Sequence, residues 1–221
     1  RSGKMRKLSA TGYVELVLAD MKAKSLLHVV TEADTGSGAI IARNRYNSVF
    51  PDRVTFFDVD DVNRSFTTDR TEFIGRNGTM ADPDAMRRTK LSGKLGSAFD
   101  PCIAMQVSFD LYDDQEKEIV FRLGSANNSH EAMNLVQKFK GNIAAAESLT
   151  EVNMYWKNAI NSVQIETPDK SLDILTNGWL TYQTLACRIW ARSGYYQSGG
   201  AFGFRDQLQD VISLLHVNPK D

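Results

Sequence analysis

The sequence predicts an all-β domain followed by an all-α segment. In residues 1–124, short runs rich in β-branched and aromatic side chains are separated by turn sequences at residues 34–38, 75–78 and 113–114. From Ser125 onward, the apolar residues recur at helical spacing instead. Several short strands punctuated by turns favour a β-sandwich or barrel over alternating β-α-β units. We therefore predict a β-sandwich at residues 1–124, a helical linker at 125–166 and the start of a helical domain at 167–221.

The strands are predicted from their β-branched and aromatic composition, which suits a pleated and half-buried surface. The predicted strands are residues 13–18, 26–31, 54–59, 103–109 and 118–123. Asp58, Asp60 and Asp61, at the end of the third run, lack the glycine and the distal glutamate of a calcium-binding loop. We predict a solvated turn there.

Capping signals place the helices. Asn128 precedes a predicted helix over residues 130–140, which Gly141 ends. Thr167 is predicted as the N-cap of a long helix, with Pro168 in its first turn and an irregularity at Gly178. This long helix is predicted over residues 169–195, and two further helices over 144–161 and 205–215. The apolar spacing implies that they are broadly buried within an all-α layer.

Composition and charge exclude several classes of protein. The 221 residues carry 26 basic and 27 acidic side chains, which argues against a nucleic-acid partner because such a partner requires a basic surface. The chain has no run of 18 apolar residues, so no membrane segment is predicted. Cys102 and Cys187 fit buried thiols in a reduced compartment, which predicts a cytoplasmic location. The three histidines are widely separated, and neither a metal site nor a cofactor is predicted.

The densest group of polar residues lies at residues 188–210. It contains Arg188 and Arg192, a glycine-rich loop at residues 199–203, and then Asp206 and Asp210, which lie one helical turn apart. Carboxylates accept hydrogen bonds from vicinal hydroxyls and guanidinium groups donate in a fixed fork, so this group suits a sugar ligand. The same spacing is equally compatible with a capped helix start that carries a surface ion pair.

Two stretches of this region resemble glycoside hydrolase family 94. They read NGWLTYQTLACRIWARS at residues 177–193 and YYQSGGAFGFRDQLQD at residues 195–210. Segments of the first half resemble the sandwich of the same family, among them LSATGYVE at residues 8–15 and TDRTEFIGRNG at residues 68–78. Within the family, the chain is most similar to the phosphorylase-like domain of cyclic β-1,2-glucan synthases and to 1,2-β-oligoglucan phosphorylases.

The resemblance implies a large β-sandwich, a helical linker and the first helices of an (α/α)6 catalytic barrel. It implies that Arg192, Arg205 and Asp210 bind the donor glucosyl unit, with Asp206 as a helper. The implied chemistry inverts the anomeric carbon: a carboxylic acid protonates the glycosidic oxygen while inorganic phosphate, a co-substrate, attacks from the opposite face. In the family, this general acid is an aspartate further along the barrel.

We therefore expect a fragment of a phosphorylase that acts on β-glucan, with phosphate and α-glucose 1-phosphate as the other reactants, and we expect the fragment alone to be inactive. The resemblance also implies a homodimer to which the sandwich contributes. It leaves open whether the parent is a soluble phosphorylase or a synthase anchored in the inner membrane, where this domain would control chain length. The alternative is a non-catalytic sandwich module for carbohydrate binding or assembly, since sandwich folds host many functions.

Overall fold

A computed structural model describes residues 3–97, 100–190, 193–194, 197–198 and 204–217. The chain divides into two compact units, Arg1–Ala145 and Ala146–Asp221. The first unit contains two antiparallel sheets, and the second is mainly helical. An all-β region followed by helices confirms the predicted fold class.

The first unit contains eight strands in its described residues, in two sheets. The five-stranded sheet has the order β6-β2-β3-β4-β8, and the three-stranded sheet has the order β1-β7-β5. Every neighbouring pair is antiparallel. The strands are β1 (Arg6–Glu15), β2 (Val29–Ala33), β3 (Ile40–Asn44), β4 (Val54–Val59), β5 (Arg64–Asp69), β6 (Gly96–Ser97), β7 (Pro101–Leu111) and β8 (Phe121–Ala126).

The main core lies between the two sheets. Val29, Ile40 and Phe57 from the five-stranded sheet pack with Ile103 and Met105 from the three-stranded sheet. Alternate residues of a strand point to opposite faces of its sheet. The first unit therefore has a second apolar face on each sheet, and each of these outer faces is also covered.

A short element covers each outer face. Helix α3 (Ser129–Lys138) packs Ala132 and Val136 against Ile41 and Phe56 of the five-stranded sheet. On the other sheet, α2 (Arg70–Ile74) packs Phe73 and Ile74 against β7 together with a 3-10 turn at Asp84–Arg87. A further short helix, α1 (Lys22–Ser25), lies between β1 and β2 in sequence. The first unit is thus a sandwich with a helical layer on each side.

A buried ion network within the first unit joins strands β4 and β8 to the end of α3 and to Gly141. Arg122 of β8 pairs with Asp58 of β4 and with Asp60. The exposed fraction of the Asp58 side chain is 2% and that of Arg122 is 8%. Burial alone would lower the pKa of Arg122, but its hydrogen bonds to Asp60 and Asp58 raise it above the ordinary value. Arg122 also donates to the carbonyl of Phe139, and Asp60 Oδ2 accepts from the backbone N–H of Gly141 at 2.7 Å.

The helices of the second half are long but sparsely packed. Helix α4 (Gly141–Ile160) is followed by a continuous helical stretch made of α5 (Lys170–Ile174), a π-helical segment (Leu175–Trp179), α6 (Leu180–Thr184) and a second π-helical segment (Leu185–Trp190). Two-residue strands β9 (Ser193–Gly194) and β10 (Gln197–Ser198) pair with each other. Helix α7 (Phe204–Ile212) then leads into a 3-10 turn at Ser213–His216.

Several predicted boundaries need correction. The described part of the long helix reaches Trp190, and Ser193–Gly194 form a strand, so the helix does not extend to residue 195 as predicted. Its N-cap is Asp169 rather than Thr167. Residues 26–28 belong to a helical turn, so β2 starts at Val29. The solvated turn predicted at Asp58 is wrong, because this side chain lies inside the ion network. The irregularity predicted at Gly178 is confirmed, since a π-helical segment contains that residue.

The broad burial predicted for the helices is also wrong for the described residues. Among those from residue 146 onward, Asp173 alone is buried. Leu149 and Val152 of α4, and Trp179 and Trp190 of the long helix, are exposed. The apolar spacing was correct as a helix signal, but these helices have too few described neighbours to cover their apolar faces. The two domain boundaries, after residues 124 and 166, remain predictions.

Candidate functional site

The first turn of the long helix is held by side chains on both sides of its start. Asp169 accepts from the backbone N–H of Ser171 at 2.9 Å and so caps the helix. Asp173 accepts from the hydroxyl of Thr167 at 2.9 Å and from Lys170 Nζ at 3.0 Å. These hydrogen bonds, first that of Lys170 and then that of Thr167, hold the pKa of Asp173 below its ordinary value. The start of the helix is therefore tied to the preceding segment by an ionised carboxylate.

Asn177 makes a second tie one helical turn later. Its side-chain oxygen accepts from the backbone N–H of Ile165 at 2.8 Å, and its side-chain N–H donates to the carbonyl of the same residue at 2.8 Å. An amide that pairs with both backbone groups of one residue imitates a strand neighbour. The extended segment before the helix is thus fixed along the helix rather than left as a free loop.

The two π-helical segments are the irregular part of this helix. A π-helical turn is rare and is found disproportionately at functional sites, because it displaces side chains from their α-helical positions. The first segment contains Trp179 and the second contains Arg188 and Trp190. Arg188 therefore projects from a widened turn at the end of the helix.

Arg188 and Asp210 are brought together although 22 residues separate them. Arg188 Nε donates to Asp210 Oδ2 at 2.6 Å, which joins the second π-helical segment to α7. The exposed fractions of the two side chains are 36% and 44%. A carboxylate can accept hydrogen bonds at about four positions, and this contact uses one of them. Asp210 can therefore accept hydrogen bonds from the hydroxyl groups of a ligand while Arg188 holds it in place.

The predicted site residues are only partly covered by this geometry. Asp210 is paired as described, and Arg205 is exposed at the start of α7. Asp206 lies in α7 one turn before Asp210, but its side chain is outside the described residues, as is the whole of Arg192. The glycine-rich loop at residues 199–203 is outside them as well. The structure thus brings one predicted residue, Asp210, to a partner that was not among the predicted binding residues.

That partner, Arg188, was visible in the sequence as part of the polar group but had no signal of its own. It lies four residues before Arg192, and this spacing predicts a shared helix face. The spacing gives no information about Asp210, which lies 22 residues further along the chain. A spacing rule works within one element, whereas this contact joins two. Only the packing of α7 against the end of the long helix identifies it.

Aromatic side chains form a second feature of this unit. Trp156 of α4 lies within 5.1–5.5 Å, between ring centroids, of Tyr155, Tyr182 and Trp190. Trp179 extends the group through Tyr182 at 5.7 Å. Such aromatic pairs contribute about 0.5–1.5 kcal/mol each beyond the burial of their surface. The group joins α4 to the long helix, and we interpret it as a packing cluster.

Across the part of the chain that the structure describes, no three His, Cys, Asp or Glu side chains are grouped so that they could hold a metal ion. In the same residues, no helix is both long enough and apolar enough to cross a membrane.

Comparison with known proteins identifies the family to which this fold belongs. Residues 1–142 match the family model described as Glycosyl hydrolase 94, supersandwich domain. Residues 155–221 match the model described as Glycosyl hydrolase 94 superfamily, catalytic domain. The chain thus matches the sandwich domain and then the catalytic domain of one family, in that order along the sequence. The chain belongs to glycosyl hydrolase family 94.

Individual relatives support the same assignment. The chain is 34% identical over 220 residues to the cyclic beta-(1,2)-glucan synthase of Rhizobium meliloti, which covers 99% of this chain and 8% of the synthase. It is 26% identical over 230 residues to the N,N'-diacetylchitobiose phosphorylase of Vibrio proteolyticus, which covers 99% of this chain and 28% of that enzyme. The cellobionic acid phosphorylase of Neurospora crassa is 26% identical over 166 residues, or 75% of this chain and 20% of that enzyme. The chain therefore spans less than a third of each of these relatives.

Proposed function

We propose that this chain is the sandwich and the opening catalytic helices of an inverting glycoside phosphorylase that acts on β-glucan. The observation that carries the proposal is the pair of family matches, which together include a sandwich domain and a catalytic domain in the expected order. The phosphorylases among the relatives support the reaction class. The glucan synthase relative, at 34% identity, supports a β-1,2-glucan as the substrate.

In the proposed reaction, one glucosyl unit is transferred from a β-glucan to inorganic phosphate. Phosphate attacks the anomeric carbon of the terminal glucosyl unit, the glycosidic C–O bond breaks, and α-glucose 1-phosphate and a shortened glucan are formed. The leaving oxygen takes its proton from a carboxylic acid that lies on the side of the sugar opposite the attacking phosphate, as in inverting hydrolysis. We assign that acid to an aspartate elsewhere in the catalytic domain, since the residues of this chain have a different role.

The role that we propose for this chain is to hold the donor sugar. Asp210 accepts hydrogen bonds from hydroxyl groups of the glucosyl unit, and Arg205 and Arg192 donate to its oxygens, with Asp206 as a helper. Charge-assisted hydrogen bonds of this kind are about twice as strong as neutral ones. They also orient the anomeric carbon toward phosphate, which lowers the barrier by fixing the geometry of attack.

The test uses the full-length protein. One mixture contains β-1,2-glucan oligosaccharides and phosphate, and a second contains α-glucose 1-phosphate and a glucan acceptor. We expect α-glucose 1-phosphate to form in the first mixture and phosphate to be released in the second. Parallel mixtures with N,N'-diacetylchitobiose and cellobionic acid test the substrates named for the other relatives.

A substitution links the activity to this chain. Asp210→Asn should lower kcat/KM by about 100-fold or more, as for removal of one preorganised polar contact in other active sites. Gln209→Ala is the matched control, because Gln209 is the exposed neighbour of Asp210 in α7. Unchanged kinetics for Asp210→Asn would remove this residue from the donor site. Inactivity toward every glycoside in both directions would favour a non-catalytic carbohydrate-binding or assembly module.

A further inference from the structure

Arg188 and Asp210 contact each other through a single pair of atoms. Nε of Arg188 donates to Oδ2 of Asp210 at 2.6 Å, a short charge-assisted hydrogen bond. Arg188 lies in the π-helical segment Leu185–Trp190, and Asp210 lies near the end of α7 (Phe204–Ile212). The contact thus fixes one oxygen of the carboxylate relative to the end of the long helix.

This contact contributes little to stability, because both side chains are more than a third exposed. Ion pairs with that exposure are screened by water and contribute little to the folded state. Its effect on geometry is larger. A carboxylate held through one oxygen has a defined side-chain rotamer, and its remaining acceptor positions then point in fixed directions.

We propose that Arg188 is a positioning residue, which orients Asp210 so that its remaining acceptor positions meet the hydroxyl groups of the donor glucosyl unit. This proposal rests on the proposed function and adds a residue to it. Arg188 acts through Asp210, and its own contact with substrate is not required. Because the acceptor directions matter most when the sugar is distorted toward the transition state, loss of Arg188 should affect kcat more than KM.

The test is a double-mutant cycle in the full-length protein, with the variants Arg188→Gln, Asp210→Asn and both together. We expect Arg188→Gln to lower kcat/KM for phosphorolysis by about 10-fold to 100-fold, mainly through kcat. Arg188→Lys, which keeps the charge but lacks the rigid fork, should recover part of this loss. The double variant should be no slower than Asp210→Asn within about 3-fold, because Arg188 has nothing left to orient.

Controls separate positioning from a loss of folded protein. Lys157→Gln, which removes an exposed basic residue of α4, should leave kcat/KM unchanged. The melting temperature of Arg188→Gln should lie within about 2 °C of that of the unchanged protein, since the pair is exposed. A lower melting temperature with an unchanged kcat per folded molecule would overturn the proposal in favour of a structural role. Multiplicative losses in the double variant would overturn it in favour of independent roles.

The outcome is distinguishable from failure of the proposed function. If the unchanged protein forms α-glucose 1-phosphate but Arg188→Gln is as active, the positioning role alone is wrong. If the protein is inactive, the same cycle is measured on the Kd for β-1,2-glucan oligosaccharides by calorimetry. Coupled losses in Kd would then support positioning at a binding site. Equal Kd values for the unchanged protein and Arg188→Gln, or no binding at all, would overturn it.

Discussion

Asp58 and Arg122 form an ion pair that is almost completely removed from water, between neighbouring strands β4 and β8. The two residues lie opposite each other in the strand register, and Asp58 also accepts from Arg64 Nη1 at 2.6 Å. Two guanidinium groups therefore balance Asp58 and Asp60 in the interior of the unit. A buried charge whose partner is removed is strongly destabilising, whereas an exposed one is not.

We predict that Arg122→Met lowers the free energy of unfolding by about 3–5 kcal/mol, because Asp58 and Asp60 would be left buried without their main partner. The measurement is urea denaturation of the full chain followed by far-ultraviolet circular dichroism. Lys117→Met is the matched control, since Lys117 pairs with Asp61 near the surface at 3.0 Å and should cost less than about 1 kcal/mol. Similar losses for the two variants would contradict the prediction.

Gly12 of β1 faces two aromatic rings that leave no room for a side chain. A Cβ atom at this position would lie 2.7 Å from the rings of Phe57 and Phe121, which stack on each other with centroids 5.8 Å apart. We predict that Gly12→Ala destabilises the chain by about 1–3 kcal/mol through overpacking. The measurement is again urea denaturation followed by circular dichroism. Gly36→Ala is the control, because its Cβ would meet Asp34 at an ordinary 3.4 Å. A Gly12→Ala variant as stable as this control would show that the rings can move apart.

Asn128 begins α3 with a reciprocal cap. Its side chain accepts from the backbone N–H of Glu131 at 2.9 Å, and the Glu131 carboxylate accepts from the backbone N–H of Asn127 at 2.9 Å. This is the pattern of a capping box shifted by one residue. We predict that Asn128→Ala costs about 1 kcal/mol while Asn128→Asp costs little, because aspartate caps as well. Hydrogen exchange of the α3 amides is the measurement, and equal exchange in both variants would contradict the role of the cap.

The protonation of Asp173 should determine how the start of the long helix responds to acid. Because its pKa is held below the ordinary value of 3.8, its stabilising contribution is fully present above that pH. The contribution is lost as the pH falls through the lowered pKa of the folded state. We expect the helical dichroism signal to be constant from pH 7 to about 4 and to fall below that.

Asp173→Asn should lower stability at pH 7 and flatten this acid dependence, because the titrating group is gone. Glu166→Gln, which removes an exposed carboxylate nearby, is the control and should retain the acid transition of the unchanged chain. An unaltered acid transition in Asp173→Asn would assign the pH dependence to other groups.

Composition located some strands more accurately than others. β4 was predicted with its observed bounds, since Val54, Phe56 and Phe57 are all buried. β5 was missed, because its sequence RSFTTD is polar and its strand conformation depends on pairing with β7. β3 was missed as well, since it is short and ends in Arg43 and Asn44. Strand formation in these segments is a tertiary effect that composition does not report.

The candidate site also depends on tertiary contacts that the local sequence does not report. Asp210 was predicted because it belongs to a motif that is contiguous in sequence. Its pairing with Arg188 depends on how α7 packs on the long helix, and no periodicity links positions 22 residues apart. The ion network of Asp58 and Arg122 was missed for the same reason, since 64 residues separate the two.

The π-helical segments of the long helix have a consequence for how its length can change. A π-helical turn contains one more residue than an α-helical turn, so each segment is equivalent to a residue inserted while the flanking turns keep their faces. Removing one residue from Leu175–Trp179 would restore regular α-helix without turning the downstream part. The same deletion within Leu180–Thr184 would rotate everything beyond it by about 100°. We therefore expect related proteins to tolerate a one-residue deletion within Leu175–Trp179 but not within Leu180–Thr184.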